Sequence, residues 1–180
     1  MANLFLTPKI VYTGADALDM SKNSIKGLGK KALVVTGKNS VKIGNAKKVT
    51  DMLESIGIDS VVYSEITGEP CDYMIEEGAK VYKENGCDFL VSIGGGSPMD
   101  SMKAIGVVGA CGGSINDYMG KVITTPLAPM VAIPTTAGTG SETTQFTIIN
   151  NTVENIKMLL KGPTLMPDIA VVDPYCTLTA

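Results

Sequence analysis

Short apolar runs alternate with amphipathic stretches along most of the chain, a pattern typical of a parallel β-sheet covered by helices. The runs are continuously hydrophobic rather than alternating, so we expect both faces of the sheet to be buried. Strands are predicted at residues 31–36, 58–63, 87–93, 130–133 and 169–172.

Between these strands, apolar residues recur at helical spacing. The pattern predicts helices over residues 43–56, 74–82 and 97–108. Gly57 follows the first of them, and glycine is a common residue just beyond the end of a helix. Strands and helices therefore alternate, as βα units do.

The pattern changes after residue 143. Residues 143–150 and 156–160, with a turn at Asn150 and Asn151, predict a β-hairpin appended to the parallel core. The predicted fold class is α/β, with helices on both faces of a parallel sheet and one added hairpin.

The composition excludes several classes of function. The 180 residues are 44% hydrophobic and 18% charged, as in a soluble globular domain, and the net charge of -3 gives no basic surplus for nucleic acid. There is no histidine, which argues against zinc hydrolase sites and Ser-His-Asp triads. No signal peptide and no run of about 18 apolar residues is found, so we expect a cytoplasmic protein with no membrane partner.

Three glycines at positions 94–96 lie between a predicted strand and a predicted helix. Ser97 suits the N-cap of that helix and Pro98 its first position. Asp100 would then be at N3, where it completes a capping box with Ser97. Glycines without a Cβ would let a phosphate reach the free amides at the helix start. They would equally suit a tight turn with no ligand, and both interpretations stay open here.

A second polar loop, PTTAGTGSE at residues 134–142, also follows a predicted strand. Ligands of open α/β sheets bind outside the carboxyl ends of the strands, so the two loops are expected at the same edge. Residues 27–32 fit the dinucleotide pattern G-x-G-x-x-A, but they precede a strand and cannot present a helix start to a pyrophosphate.

The segments GGGSPMDSMKAIG and PTTAGTGSE together resemble the iron-containing (group III) alcohol dehydrogenase family. PKIVYTG near the start, VVTG at the end of the first predicted strand and MPDIAVVDP near the end are similar to that family's framework. The resemblance implies a Rossmann-like dinucleotide-binding domain over residues 1–180. In the family, an all-helical metal domain follows and catalysis takes place in the cleft between the two.

The resemblance also assigns roles to individual residues. It implies that Gly95, Gly96 and Ser97 bind pyrophosphate and that Asp100 lies near the nicotinamide. Three threonines are expected at phosphate and nicotinamide riboside, and Lys157 at a ribose hydroxyl. Asp100 could instead only cap its helix, Lys157 could be a solvated hairpin lysine, and Glu142 is expected to be structural. The expected cofactor contacts are Gly37, Lys38, Gly94, Gly95, Gly96, Ser97, Asp100, Thr135, Thr136, Thr139 and Lys157.

The metal site is where the chain departs from the family. That site consists of one aspartate and three histidines in the helical domain, and Fe²⁺ there polarises the alcohol oxygen. The sequence has no histidine, so we expect the metal domain to be absent from these residues. No catalytic or metal-binding residue is assigned. The chain alone is expected to be inactive in hydride transfer between the nicotinamide cofactor and a primary alcohol or aldehyde.

Gly37 is a second departure. NAD-using members carry an aspartate there, which accepts from the adenosine ribose and repels a 2′-phosphate. With Gly37 beside Lys38, we expect NADP to bind more tightly than NAD by about 1–3 kcal/mol.

Two other classes of function remain open from the sequence. A non-catalytic dinucleotide-binding or assembly module would bind the cofactor without turnover. A flavodoxin-like phosphate-binding module would bind neither NAD nor NADP. The resemblance further implies a homodimer.

Overall fold

The structure, a computed structural model, describes residues 5–178. Its main feature is a six-stranded sheet in the order β1-β8-β5-β4-β2-β3, in which every neighbouring pair is parallel. Strands β6 and β7 form a separate antiparallel hairpin. The strands are β1 Ile10–Thr13, β2 Lys31–Val35, β3 Asp59–Tyr63, β4 Phe89–Gly94, β5 Met130–Pro134, β6 Phe146–Asn151, β7 Ile156–Lys161 and β8 Ile169–Val172.

Helices connect the parallel strands and cover both faces of the sheet. The helices are α1 Ala17–Met20, α2 Lys22–Lys26, α3 Lys38–Lys42, α4 Asn45–Ser55, α5 Asp72–Glu84 and α6 Gly96–Cys111, with 3₁₀ turns at Ile115–Tyr118, Ser141–Thr143, Pro163–Leu165 and Pro174–Cys176. None of the helices in residues 5–178 is long and apolar enough to cross a membrane.

The core has two layers, one on each face of the sheet. Leu90 of β4 packs in the layer that includes Ile105 of α6, whereas its neighbour Val91 packs in the layer that includes Leu53 of α4. Every residue of β4 is buried, as the continuous hydrophobic pattern predicted. The α/β fold class with helices on both faces and an added hairpin is confirmed.

Two local predictions differ from the structure. The predicted turn at Asn150 and Asn151 is wrong, because both residues still pair across the hairpin and the turn follows them. The side chain of Asn151 builds that turn by accepting from the amides of Val153 and Glu154. Strand β1 was not predicted, since it lies at the edge of the sheet and most of its residues are exposed.

The strand order brings the ends of β5, β4 and β2 together at one edge. The Thr36 hydroxyl after β2 donates to the Ile93 carbonyl of β4 at 2.6 Å. On the other side, the amide of Thr135 after β5 donates to the Gly94 carbonyl at 2.8 Å. The two loops singled out in the sequence are therefore neighbours at the carboxyl edge of the sheet.

Candidate cofactor site

The glycine turn between β4 and α6 requires glycine at its first position. Gly94 has φ +154°, and a Cβ placed there would lie 2.7 Å from Cγ of Pro98. Gly95 and Gly96 have no positive φ. Glycine at those two positions is therefore explained by close neighbours, not by backbone conformation.

The N-cap of helix α6 lies two residues earlier than the sequence predicted. Gly95 is its N-cap and Gly96 its first residue, so the predicted capping box of Ser97 and Asp100 is wrong. No side chain caps this helix start, and the positive end of the helix dipole is left without an acidic group in its first turn. The free backbone amides in the first turn of this 16-residue helix could therefore bind an anionic ligand.

The threonine loop, residues 135–140, packs directly on the glycine turn. A Cβ on Gly95 would lie 3.3 Å from the Thr136 hydroxyl oxygen, and one on Gly96 would lie 3.3 Å from Cγ2 of Thr139. Thr135 is buried against the sheet edge, whereas Thr136 and Thr139 are exposed. The two segments form a cradle of small residues and hydroxyls that a larger side chain would fill.

Asp100 links helix α6 to the hairpin. Its carboxylate accepts from the Ile148 amide at 3.1 Å, and its backbone carbonyl accepts from the Thr147 hydroxyl at 2.8 Å. Burial raises the pKa of Asp100, and the Ile148 amide and the Lys103 ammonium oppose that rise. Asp100 therefore anchors β6 beside the turn instead of capping its own helix.

Lys103, one helical turn beyond Asp100, was not identified from the sequence. It is fully buried, and its ammonium donates to the Thr144 carbonyl at 2.8 Å, the Thr144 hydroxyl at 3.0 Å and the Phe146 carbonyl at 2.8 Å. Burial lowers its pKa to about 8, although Asp100 and Glu142 favour the charged form. The sequence signal for a buried lysine was that Lys103 is the single charged residue in a helix that is otherwise apolar from Met102 onward.

Gly37 and Lys38 lie at the start of α3, next to the end of β3. A Cβ on Gly37 would lie 2.8 Å from the backbone carbonyl oxygen of Ile66, so an aspartate there would require this segment to shift. The Lys38 ammonium pairs with Glu65 at 2.8 Å. Ser40 of the same short helix is buried and its hydroxyl has no partner among the described residues.

Lys157 is the predicted contact that the structure does not bring to the glycine turn. It lies on β7, and its ammonium pairs with Glu69 at 2.6 Å. Glu69 also accepts from the Asn150 amide, and these bonds lower the pKa of its carboxyl. Within residues 5–178, the Lys157 ammonium bonds to Glu69, and these two residues and Asn150 form one exposed cluster.

The described part of the chain does not fit an iron site. Among residues 5–178, no group of three or more histidine, cysteine, aspartate or glutamate side chains could hold a metal ion. The four cysteines are free thiols scattered over the fold. No step of a reaction can be assigned to a metal held by these residues.

The arrangement of strand, glycine turn, helix and threonine loop agrees with comparison to known proteins. The sequence matches the family described as iron-containing alcohol dehydrogenase over residues 8–174. The chain belongs to the iron-containing alcohol dehydrogenase family. The resemblance inferred from the two sequence motifs is thereby confirmed.

Individual relatives in this family match nearly all of the chain. It is 41% identical to the NAD-dependent methanol dehydrogenase of Bacillus methanolicus, covering 97% of this chain and 46% of that protein. It superposes on a 1,3-propanediol oxidoreductase with a TM-score of 0.94 at 32% identity, covering 98% and 47% of the two chains. For sulfoacetaldehyde reductase from Bifidobacterium kashiwanohense in complex with NAD⁺, the TM-score is 0.87 at 32% identity, with coverage of 98% and 47%. The chain spans about half the length of these relatives.

The buried Lys103 predicts a pH dependence of stability. Its pKa of about 8 in the folded chain lies below the ordinary value of 10.5, so the unfolded chain holds more protons between these pH values. From pH 8 to pH 10, the unfolding free energy of the wild type should therefore rise relative to Lys103→Met, by about 3 kcal/mol at most. Urea unfolding at pH 7, 8, 9 and 10 measures this difference.

A control variant, Lys47→Met, removes an exposed lysine of α4. The pH dependence of its unfolding free energy shows the effect of removing an exposed ammonium. A wild-type minus Lys103→Met difference that stays flat or falls over the same pH range would contradict the burial of a charged lysine at this position.

Proposed function

We propose that this chain is the dinucleotide-binding part of an iron-dependent alcohol dehydrogenase, which transfers hydride between a nicotinamide cofactor and a primary alcohol or aldehyde. The observation that carries the proposal is the contact between the threonine loop and the uncapped start of α6. Matching relatives have names that describe oxidation of alcohols or reduction of aldehydes. These relatives favour a dehydrogenase over a non-catalytic dinucleotide-binding or assembly module.

The residues of the cradle fit a pyrophosphate. The amides of Gly96 and Ser97 would donate to its oxygens, and the positive end of the α6 dipole would stabilise its charge. The exposed hydroxyls of Thr136 and Thr139 stand beside the same turn and can donate as well. The absence of a Cβ at Gly95 leaves the space that the phosphate needs. When bound, the nicotinamide ring of the cofactor accepts or supplies the hydride.

Asp100 and Lys157 are proposed cofactor contacts with different support. Asp100 lies on the first turns of α6 beside Ser141, so it stands next to the cradle, although the Ile148 amide already occupies one of its carboxylate oxygens. Lys157 would have to leave Glu69 to reach a ribose hydroxyl. We therefore place Asp100 at the nicotinamide side of the site and Lys157 at its margin.

We further propose that the iron ligands of the enzyme lie outside these 180 residues, so that the chain by itself is inactive as an alcohol dehydrogenase. The absence of histidine from the sequence and the length of the relatives support this. We also propose a cytoplasmic protein that forms homodimers, as the family resemblance implies. The net charge of -3 and the lack of a run of about 18 apolar residues support the absence of nucleic acid and membrane partners.

The first prediction from the proposed function is that Gly95→Val abolishes binding of NAD and NADP while the chain stays folded. The new side chain would occupy the space next to the Thr136 hydroxyl, where the pyrophosphate is expected, and φ at Gly95 is negative, so the backbone tolerates it. Titration calorimetry measures the binding, and circular dichroism checks the fold.

Gly27→Val is the matched control. Gly27 has negative φ at the end of α2, away from the cradle, and its Cβ would meet only the Ser24 carbonyl at 3.6 Å. This variant should bind both cofactors as the wild type does. Unchanged cofactor affinity in folded Gly95→Val would mean that the glycine turn is structural only, and failure of the wild type to bind either cofactor would favour the flavodoxin-like alternative.

The second prediction is that the wild type binds NADP more tightly than NAD. Gly37 carries no carboxylate to repel a 2′-phosphate, and Lys38 is close enough to donate to it. Because Glu65 already binds Lys38, we expect a difference in binding free energy of about 1 kcal/mol in favour of NADP, the lower end of the range expected from the sequence. Calorimetric titration with both cofactors measures the difference.

Lys38→Gln should remove this NADP preference, and it avoids the steric conflict that Gly37→Asp would create with Ile66. Lys83→Gln, on the exposed last turn of α5, is the control of equal charge. Equal or tighter binding of NAD by the wild type would contradict the prediction.

A further inference from the structure

The end of β2 carries no acidic residue of its own, but the neighbouring strand places one against it. Glu65 follows β3 by two residues, and its backbone forms an isolated antiparallel bridge with Gly37. The amide of Thr36 donates to the Tyr63 carbonyl at 2.9 Å just before this bridge. Backbone contacts, and not only a flexible side chain, therefore hold Glu65 beside Gly37.

The packing of Ile66 explains why the carboxylate comes from this strand. Its side chain is 4% exposed and belongs to the core, which anchors the segment that carries Glu65. The Ile66 carbonyl oxygen would lie only 2.8 Å from a Cβ placed on Gly37, which is too close for an ordinary contact. A side chain at position 37 would force this segment to shift, and Glu65 is the acidic residue whose backbone bridges to Gly37.

The charge of Glu65 is paired with the Lys38 ammonium at the start of α3. The Lys38 ammonium lies 2.8 Å from its carboxylate, and the two side chains are 64% and 44% exposed. Exposed pairs of this kind contribute little to stability. The pair stands one strand away from the glycine turn, because β2 and β4 are neighbours joined by the Thr36 to Ile93 hydrogen bond. This corner is where an α/β dinucleotide site holds the adenosine ribose.

We propose that Glu65 is the specificity-determining carboxylate that distinguishes NAD from NADP, with Lys38 as the opposing cation. The inference rests on the proposed function of the site. With NAD, the carboxylate of Glu65 accepts from an adenosine ribose hydroxyl. With NADP, the same carboxylate repels the 2′-phosphate and competes with it for the Lys38 ammonium. Glu65 thus limits the preference for NADP that Gly37 and Lys38 favour.

The test is a comparison of NAD⁺ and NADP⁺ affinities by calorimetry in four proteins: the wild type, Glu65→Gln, Glu65→Asp and Glu54→Gln. Glu65→Gln should strengthen NADP⁺ binding roughly fivefold to tenfold and leave NAD⁺ binding equal or slightly weaker, because it removes one repulsive charge and one acceptor. Glu65→Asp keeps the charge and should stay near the wild-type ratio. Glu54→Gln removes an exposed charge at the end of α4, at the opposite edge of the sheet, and should not change the ratio.

Each outcome distinguishes this inference from the proposed function. If the wild type binds both cofactors and Glu65→Gln leaves the ratio of their affinities unchanged, the role of Glu65 is overturned and the cofactor site stands. Equal weakening of both cofactors in Glu65→Gln, with Glu65→Asp restoring neither, would also overturn it, because the residue would then act on the loop structure. If the wild type binds neither cofactor, the proposed function fails and the inference fails with it.

Discussion

The site depends on the contact between the loop after β5 and the turn after β4. The Thr135 amide donates to the Gly94 carbonyl, and this bond sets Thr136 and Thr139 beside the start of α6. It exists because β5 and β4 are adjacent parallel strands whose carboxyl ends meet at one edge. Glycine at 95 and 96 then leaves an open cradle where most residues would fill it.

Two charged residues on α6, the partly buried Asp100 and the fully buried Lys103, hold the other side of this arrangement. Asp100 and Lys103 bind backbone groups of the segment that leads into the hairpin, at Thr144, Phe146 and Ile148. Buried charged groups are stable only when hydrogen-bonded, so breaking these bonds would release the hairpin from the helix. The same helix therefore leaves the amides at its start uncapped by side chains and anchors the hairpin a turn later.

Sequence patterns predicted what depends on continuous hydrophobicity and on glycine at a strand-to-helix turn. The central strands followed from their continuous apolar runs, α4 to α6 from apolar residues at helical spacing, and the glycine turn from its place after β4. Features made by contacts distant in sequence were not predictable in this way. The Ile148 amide binds the Asp100 carboxylate, which therefore does not cap its own helix. Glu65 approaches Gly37 from another strand. Both contacts depend on how the elements pack. Lys103 was visible only as a lysine in an apolar stretch.

The most direct test of the cradle is an NMR titration of the ¹⁵N-labelled chain with NADP⁺. The largest shifts of backbone amides should fall on Gly96 and Ser97, which are proposed to donate to the pyrophosphate, on the adjacent Gly95, and on Thr136 in the loop beside them. These amides should respond together and saturate at one cofactor per chain. Saturable shifts confined to other surfaces, with the glycine turn unmoved, would contradict it.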